Sequence, residues 1–135
     1  MAFSTVDQHM LSMAFGLGQQ TEGKGKKHGC IIAKGNKVIA QGINQQLEEV
    51  KGMPEDRDDE FYASINAELV ALAGAIGKAN LSECTVYTSA CPTWWDFKVL
   101  VALGVRRFAF YGQIASERTG YYAQKLSVEM MAIGQ

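Results

Sequence analysis

Two short stretches carry the residues best suited to chemistry. In Asn66-Ala67-Glu68 a carboxyl group stands two residues after an amide, and in Ala90-Cys91-Pro92-Thr93-Trp94 a thiol stands three residues before an indole. A carboxyl group tuned toward neutrality can pass a proton to and from a ligand. A cysteine at a helix start is expected to carry more thiolate, which suits nucleophilic attack with Glu68 as the proton shuttle. Each residue also has a plain structural reading. Glu68 near a helix N-terminus favours the helix dipole, and a lone Cys91 is commonly a small buried hydrophobe. Asn66, Ala67, Trp94 and, upstream, Asn44 complete a candidate binding set. Asn44 equally suits a turn. The Trp94 indole either stacks on a ligand or fills space, and Trp95 points about 100° away from it on a helix.

Those stretches need elements to hold them. Val6, Met10, Met13, Ala14 and Leu17 recur at helical spacing, and Ser4 with Asp7 has the spacing of a capping box, so the first element reads as an amphipathic helix. Glycines break the periodicity across residues 23–29 and predict a loop. The runs Cys30–Ala33 and Lys37–Gln41 around Lys34-Gly35-Asn36 predict a hairpin. A polar, acidic stretch from Asn44 to Glu60 reads as a long surface loop. A second helix is expected over Ser64–Ala79, with Leu69, Leu72, Ala73 and Ile76 on one stripe. Thr85–Thr88 reads as a strand and Thr93–Leu103 as a helix led in by Pro92 at its first position. Val105–Tyr111 reads as a strand buried on both faces, and Tyr121–Met131 as a last helix. This alternation predicts an α/β fold, a sheet with helices on both faces. Ligands in such sheets lie outside the carboxyl ends of the strands, so the two clusters, both at helix starts, are expected to face one crevice.

The two clusters resemble the paired motifs of the cytidine deaminase superfamily, within it the branch of guanine, tRNA adenosine and deoxycytidylate deaminases. Those enzymes carry His-x-Glu at one helix start and Pro-Cys-x-x-Cys at the next; the His and both Cys hold Zn²⁺, and the Glu shuttles protons. Here Glu68 and Cys91 match, whereas Asn66 stands in the place of the His and Trp94 in that of the second Cys. The resemblance extends through Thr85–Thr88, Leu103–Gly112 and the hairpin from Gly29 to Asn44, and covers residues 5–112. Asn44 matches an Asn that contacts the substrate in that superfamily. The resemblance implies a three-layer α/β/α sandwich whose mixed sheet starts with the hairpin and continues in parallel strands. It further implies one deaminase-like domain over residues 1–135, a nucleobase, nucleoside or nucleotide as small-molecule partner, and a homo-oligomer.

The departures bear on the chemistry. Zinc makes a hydroxide available by lowering the pKa of bound water from about 15.7 to about 7, and a catalytic zinc takes three protein ligands and one open position. An Asn amide is a poor zinc ligand and Trp is none, so the expectation is no metal and no cofactor. Cys84 lies seven residues before Cys91, about 23 Å along an extended chain, and does not reach. His28 and Cys30, at the hairpin start, leave a displaced ligand set open. The first functional reading is a non-catalytic binder or partner subunit. The alternative is a hydrolase of the deaminase type with zinc-independent or atypical-metal chemistry on an amine-bearing heterocycle, using Glu68 and Cys91.

Composition sets the outer bounds. Of 135 residues 47% are hydrophobic and 20% charged, which fits a folded domain. A net charge of −1 makes no basic field for nucleic acid, and the acidic run Glu55-Asp56-Arg57-Asp58-Asp59-Glu60 would repel it. Lys24, Lys26 and Lys27 among glycines form a solvated run or a nest for phosphate, though not a P-loop. No apolar run nears the roughly 20 residues of a membrane span. Three cysteines without paired spacing read as reduced thiols, and the chain as cytoplasmic.

Overall fold

The computed structural model describes residues 3–21, 27–46 and 64–134. Within them the chain runs through α1 (Thr5–Gly18), β1 (Gly29–Lys34), β2 (Lys37–Ile43), β3 (Gln45–Gln46), β4 (Ser64–Ile65), α2 (Ala67–Ala75), β5 (Thr85–Thr88), α3 (Trp94–Ala102), β6 (Arg107–Tyr111), α4 (Glu117–Lys125) and β7 (Glu129–Ile133). Five strands form one sheet in the order β2-β1-β5-β6-β7, and β3 pairs with β4 apart from it. The hairpin β1–β2 and the pair β1–β5 are antiparallel, whereas β5, β6 and β7 run parallel. This is the expected mixed sheet.

Alternation along the strands makes the layers, because successive strand side chains point to opposite faces. Cys30, Ile32, Val86, Phe108 and Phe110 pack with Ala71 and Leu72 of α2, Phe97 and Leu100 of α3, and Ala123 of α4. The residues between them, Ile31, Ala33, Tyr87 and Ala109, pack with Met10, Leu11 and Ala14 of α1. One helix therefore covers one face and three cover the other. The hairpin closes on Gly35-Asn36 between the paired Lys34 and Lys37, with Gly35 at φ +58°, a conformation glycine adopts without steric cost.

The capping box at α1 is present in both directions: the Asp7 amide donates to Ser4 Oγ at 3.0 Å and the Ser4 amide to Asp7 Oδ2 at 2.9 Å. The same carboxylate anchors α1 to the sheet. Arg107 donates to both Asp7 oxygens at 2.7 Å, and the Tyr87 hydroxyl donates to Oδ1 at 2.5 Å. Arg107, foremost, holds the Asp7 carboxyl well below the usual carboxylate range, and burial raises the Tyr87 phenol to about 12.

Three boundaries differ from the sequence reading. The tail helix ends at Lys125, and Glu129–Ile133 is a strand parallel to β6. Met130 there packs under the three helices and Met131 against α1, so two-faced burial outweighs the helical preference of Met and Ala. The second helix starts only at Ala67, because Ser64–Ile65 pairs with Gln45–Gln46, and Gly77 at φ +84° follows its end. Pro92 is not the first helical residue: Thr93 is the N-cap of α3 and Pro92 precedes it. Lys24, Lys26 and the acidic run over residues 55–60 lie outside the described residues.

Candidate functional site at two helix starts

The start of α2 is capped from outside. Asn66 is its N-cap residue, an Asn in extended conformation, yet its side chain makes no bond to its own helix. Asn44, just after β2, instead accepts the Ala67 amide at 2.8 Å through Oδ1. That relieves one of the four unsatisfied N–H groups every helix start presents. Close packing makes it geometrically possible, since a Cβ on Gly42 of β2 would stand 2.6 Å from the Ala67 carbonyl oxygen and 2.7 Å from the Ala71 nitrogen. Only glycine lets α2 lie this near the strand.

The Asn66 amide, which makes no bond to its own helix, reaches the other helix. Its Nδ2 donates to Asp96 Oδ2 at 2.7 Å. Asp96 lies in the first turn of α3, where its own amide donates to Thr93 Oγ1 at 3.4 Å. Glu68 stands beside this contact. Asp96 is 3% exposed and Glu68 6%, so two carboxyl groups share a nearly dry space. Burial, then the hydrogen bond and negative charge of Asp96, raise the Glu68 pKa to about 8. At neutral pH Glu68 holds its proton, and a carboxylic acid here can donate a hydrogen bond.

Cys91 departs from its expectation as a thiolate. Burial raises its pKa, the Glu68 charge adds to this, and a hydrogen bond from the Ala115 backbone opposes both. Its sulfur contacts the Pro92 carbonyl oxygen at 3.4 Å. The reason is positional: with Thr93 as N-cap, Cys91 lies outside the first turn of α3 and gains little from the helix dipole. Cys30 is fully buried, its thiol also pushed up by burial and by the charges of Glu68 and Asp96. His28 Nδ1 meets Ser89 Oγ at 3.3 Å. Among the described residues no three of His, Cys, Asp and Glu come together as a set able to hold a metal ion.

Trp94 lies between Phe97, with ring centroids 6.1 Å apart, and Tyr122 of α4 at 5.3 Å. Trp95 is 71% exposed, with the Lys98 ammonium 3.9 Å from its ring centroid. Thus the structure brings Asn44, Asn66, Ala67, Glu68 and Cys91 to two adjoining helix starts, and turns Trp94 toward the helical layer. Asp96 was missed from the sequence. Thr93-x-x-Asp96 has the spacing of a helix cap, which hides the role of the carboxylate; its place as the one acidic residue of a mostly apolar helix, Trp94–Ala102, was the available signal.

With this geometry in place, the comparisons are unambiguous about kinship. The chain belongs to the family described as the cytidine and deoxycytidylate deaminase zinc-binding region, whose pattern matches residues 4–111. Among solved structures, it is similar to the dCMP deaminase of cyanophage S-TIM5 in complex with dCMP and dUMP. That likeness has a TM-score of 0.81 at 18% identity, over 98% of this chain and 100% of the other. It is also similar to guanine deaminase from Bacillus subtilis, with a TM-score of 0.57 at 23% identity over 90% of this chain and 70% of that one. At these identities the likeness establishes the fold. No curated protein sequence matches the chain. No helix among the described residues is long and apolar enough to cross a membrane.

Proposed function

We propose that the chain binds a nucleobase, nucleoside or nucleotide at the starts of α2 and α3, without the zinc that ordinary hydrolytic deamination requires. One observation carries this reading: the residue in the place of the family's zinc-binding His is Asn66, and its Nδ2 donates a hydrogen bond to Asp96 Oδ2 at 2.7 Å. An amide nitrogen has no lone pair for a metal, and the neutral amide oxygen suits hard cations rather than zinc. The Trp94 indole, in the place of the second Cys, is a donor only and is occupied in ring packing. The donor set therefore does not fit a tetrahedral zinc site.

The residues present support binding instead. Asn66 Oδ1, which makes no hydrogen bond among the described residues, offers an acceptor, and a ligand can compete with Asp96 for the Glu68 proton. Heterocyclic bases present complementary edges. Pyrimidine nucleotides lead the list of ligands to try, because the similar cyanophage deaminase is described with dCMP and dUMP. We place the whole chain in one deaminase-type domain that acts as a homo-oligomer or partner subunit. Three free thiols suit a cytoplasmic setting.

A second reading has its own support. A carboxylic acid with a pKa about 8 is poised for proton transfer at neutral pH, so Glu68 could serve as general acid toward an amine-bearing heterocycle. Thermal shift against a panel of bases, nucleosides and nucleotides, followed by ammonia release on any hit, separates the two. Binding without ammonia supports the binder, and ammonia abolished by Glu68→Gln supports the enzyme. No shift with any compound at millimolar concentration removes the small-molecule role.

A further inference from the structure

We propose that Asp96 is the positioning residue of this site, joining the start of α3 to the start of α2 through Asn66 where the family pattern uses a metal to join them. The proposal concerns how the site is held and is independent of which ligand it takes.

Three observations support it. First, an Asn at an N-cap ordinarily accepts the amide of the second or third residue of its own helix. Asn66 makes no such bond, and its side chain is committed to Asp96 instead. Second, Asp96 is almost fully buried at 3% exposure, and a buried charge is tolerated only when it is paired or hydrogen-bonded. It accepts the Asn66 amide, and the buried Glu68 carboxyl stands beside it, both at the start of α2. Third, the contact is short, 2.7 Å, as expected for a neutral donor on a carboxylate. It spans 30 residues of sequence and crosses from one helix start to the other. Asp96 thus fixes both side chains of Asn66-x-Glu68 at once.

The test is a double-mutant cycle in urea unfolding at neutral pH with EDTA present throughout. Asn66→Ala and Asp96→Ala are each expected to lower the midpoint, and the double variant by clearly less than the sum of the two, because both single changes remove the shared contact. The exchanged pair, Asn66→Asp with Asp96→Asn, keeps the contact with its direction reversed and is expected to regain about half of the loss. Additive single effects, or an exchanged pair no better than the double alanine variant, would overturn the proposal. Should Asp96→Ala fail to fold, the wild-type protein still decides. The Asn66 side-chain amide is expected to give one downfield, slowly exchanging proton, and exchange at the rate of an exposed amide would contradict the proposal. Coupling without nucleotide binding supports the role of Asp96 while removing the ligand reading; nucleotide binding without coupling does the reverse.

Discussion

Asp7 and Arg107, a hundred residues apart in sequence, meet as a two-pronged ion pair with both carboxylate oxygens 2.7 Å from the guanidinium. Asp7 is nearly inaccessible, with 3% of its side chain exposed against 19% for Arg107. Breaking such a pair from one side leaves a buried charge without its partner, at about 3–5 kcal/mol. Asp7→Ala is therefore expected to lower the melting temperature by roughly 10 °C or more. A loss of only a degree or two in calorimetry would show that α1 is held by its apolar face alone.

The pH dependence has two opposite limbs. Asp7, whose folded pKa is depressed by Arg107, adds stability that is present above the ordinary carboxylate range and is lost as pH falls through and below it. Glu68 works the other way. Its folded pKa is raised from 4.5 to about 8, so the folded state holds a proton that the unfolded state releases. Its contribution is fully present below pH 4.5 and is lost as pH rises toward 8. Glu68→Gln, which mimics the protonated acid, is expected to flatten the fall in melting temperature between pH 5 and 8 while leaving the acid limb unchanged. A wild-type curve that is flat across that window would contradict the protonated state.

Gly42→Ala tests the contact that lets Asn44 reach α2. The added Cβ would meet backbone atoms at 2.6 and 2.7 Å, which cannot swing aside as a flexible side chain would. Overpacking of this kind typically costs about 1–3 kcal/mol. Ligand-induced thermal shift is expected to fall more steeply in Gly42→Ala than in a variant of equal stability loss at Asp7. Equal shifts in the two would show that displacement of α2 does not disturb the site.

Rebuilding the family ligand set offers a gain-of-function prediction. Asn66→His combined with Trp94→Cys supplies the missing pair beside Cys91, and the double variant is expected to melt higher with added zinc while each single variant responds poorly. The indole packs on Phe97 and Tyr122, so removing it lowers the metal-free melting temperature first. A folded double variant indifferent to excess zinc would mean that the two helix starts do not converge as described.

Much of this was readable from residue types. The capping spacing of Ser4 and Asp7, the two-residue turn at Gly35-Asn36 and the apolar runs Val86–Thr88 and Phe108–Phe110 are local signals, and local signals gave the layers. The strand Glu129–Ile133 was not readable, because its residues favour a helix until β6 and two apolar layers are present to receive them. At the site, Asn66, Glu68 and Cys91 stood out because their spacing resembles the paired deaminase motifs. Asp96 did not, since its meaning depends on a partner 30 residues away. The thiolate expected at Cys91 failed for a related reason: whether a cysteine feels a helix dipole depends on which residue caps the helix, and Thr93, two residues after Cys91, proved to be that residue.

Metal content tests the central claim most directly. Protein produced with zinc in the medium and purified without chelators should contain zinc far below stoichiometric amounts, with Asn66 and Asp96 bonded to each other. Elemental analysis giving about one zinc per chain, abolished by Cys91→Ser, would contradict the account, because a catalytic zinc needs three protein ligands converging where Asn66 and Trp94 now stand.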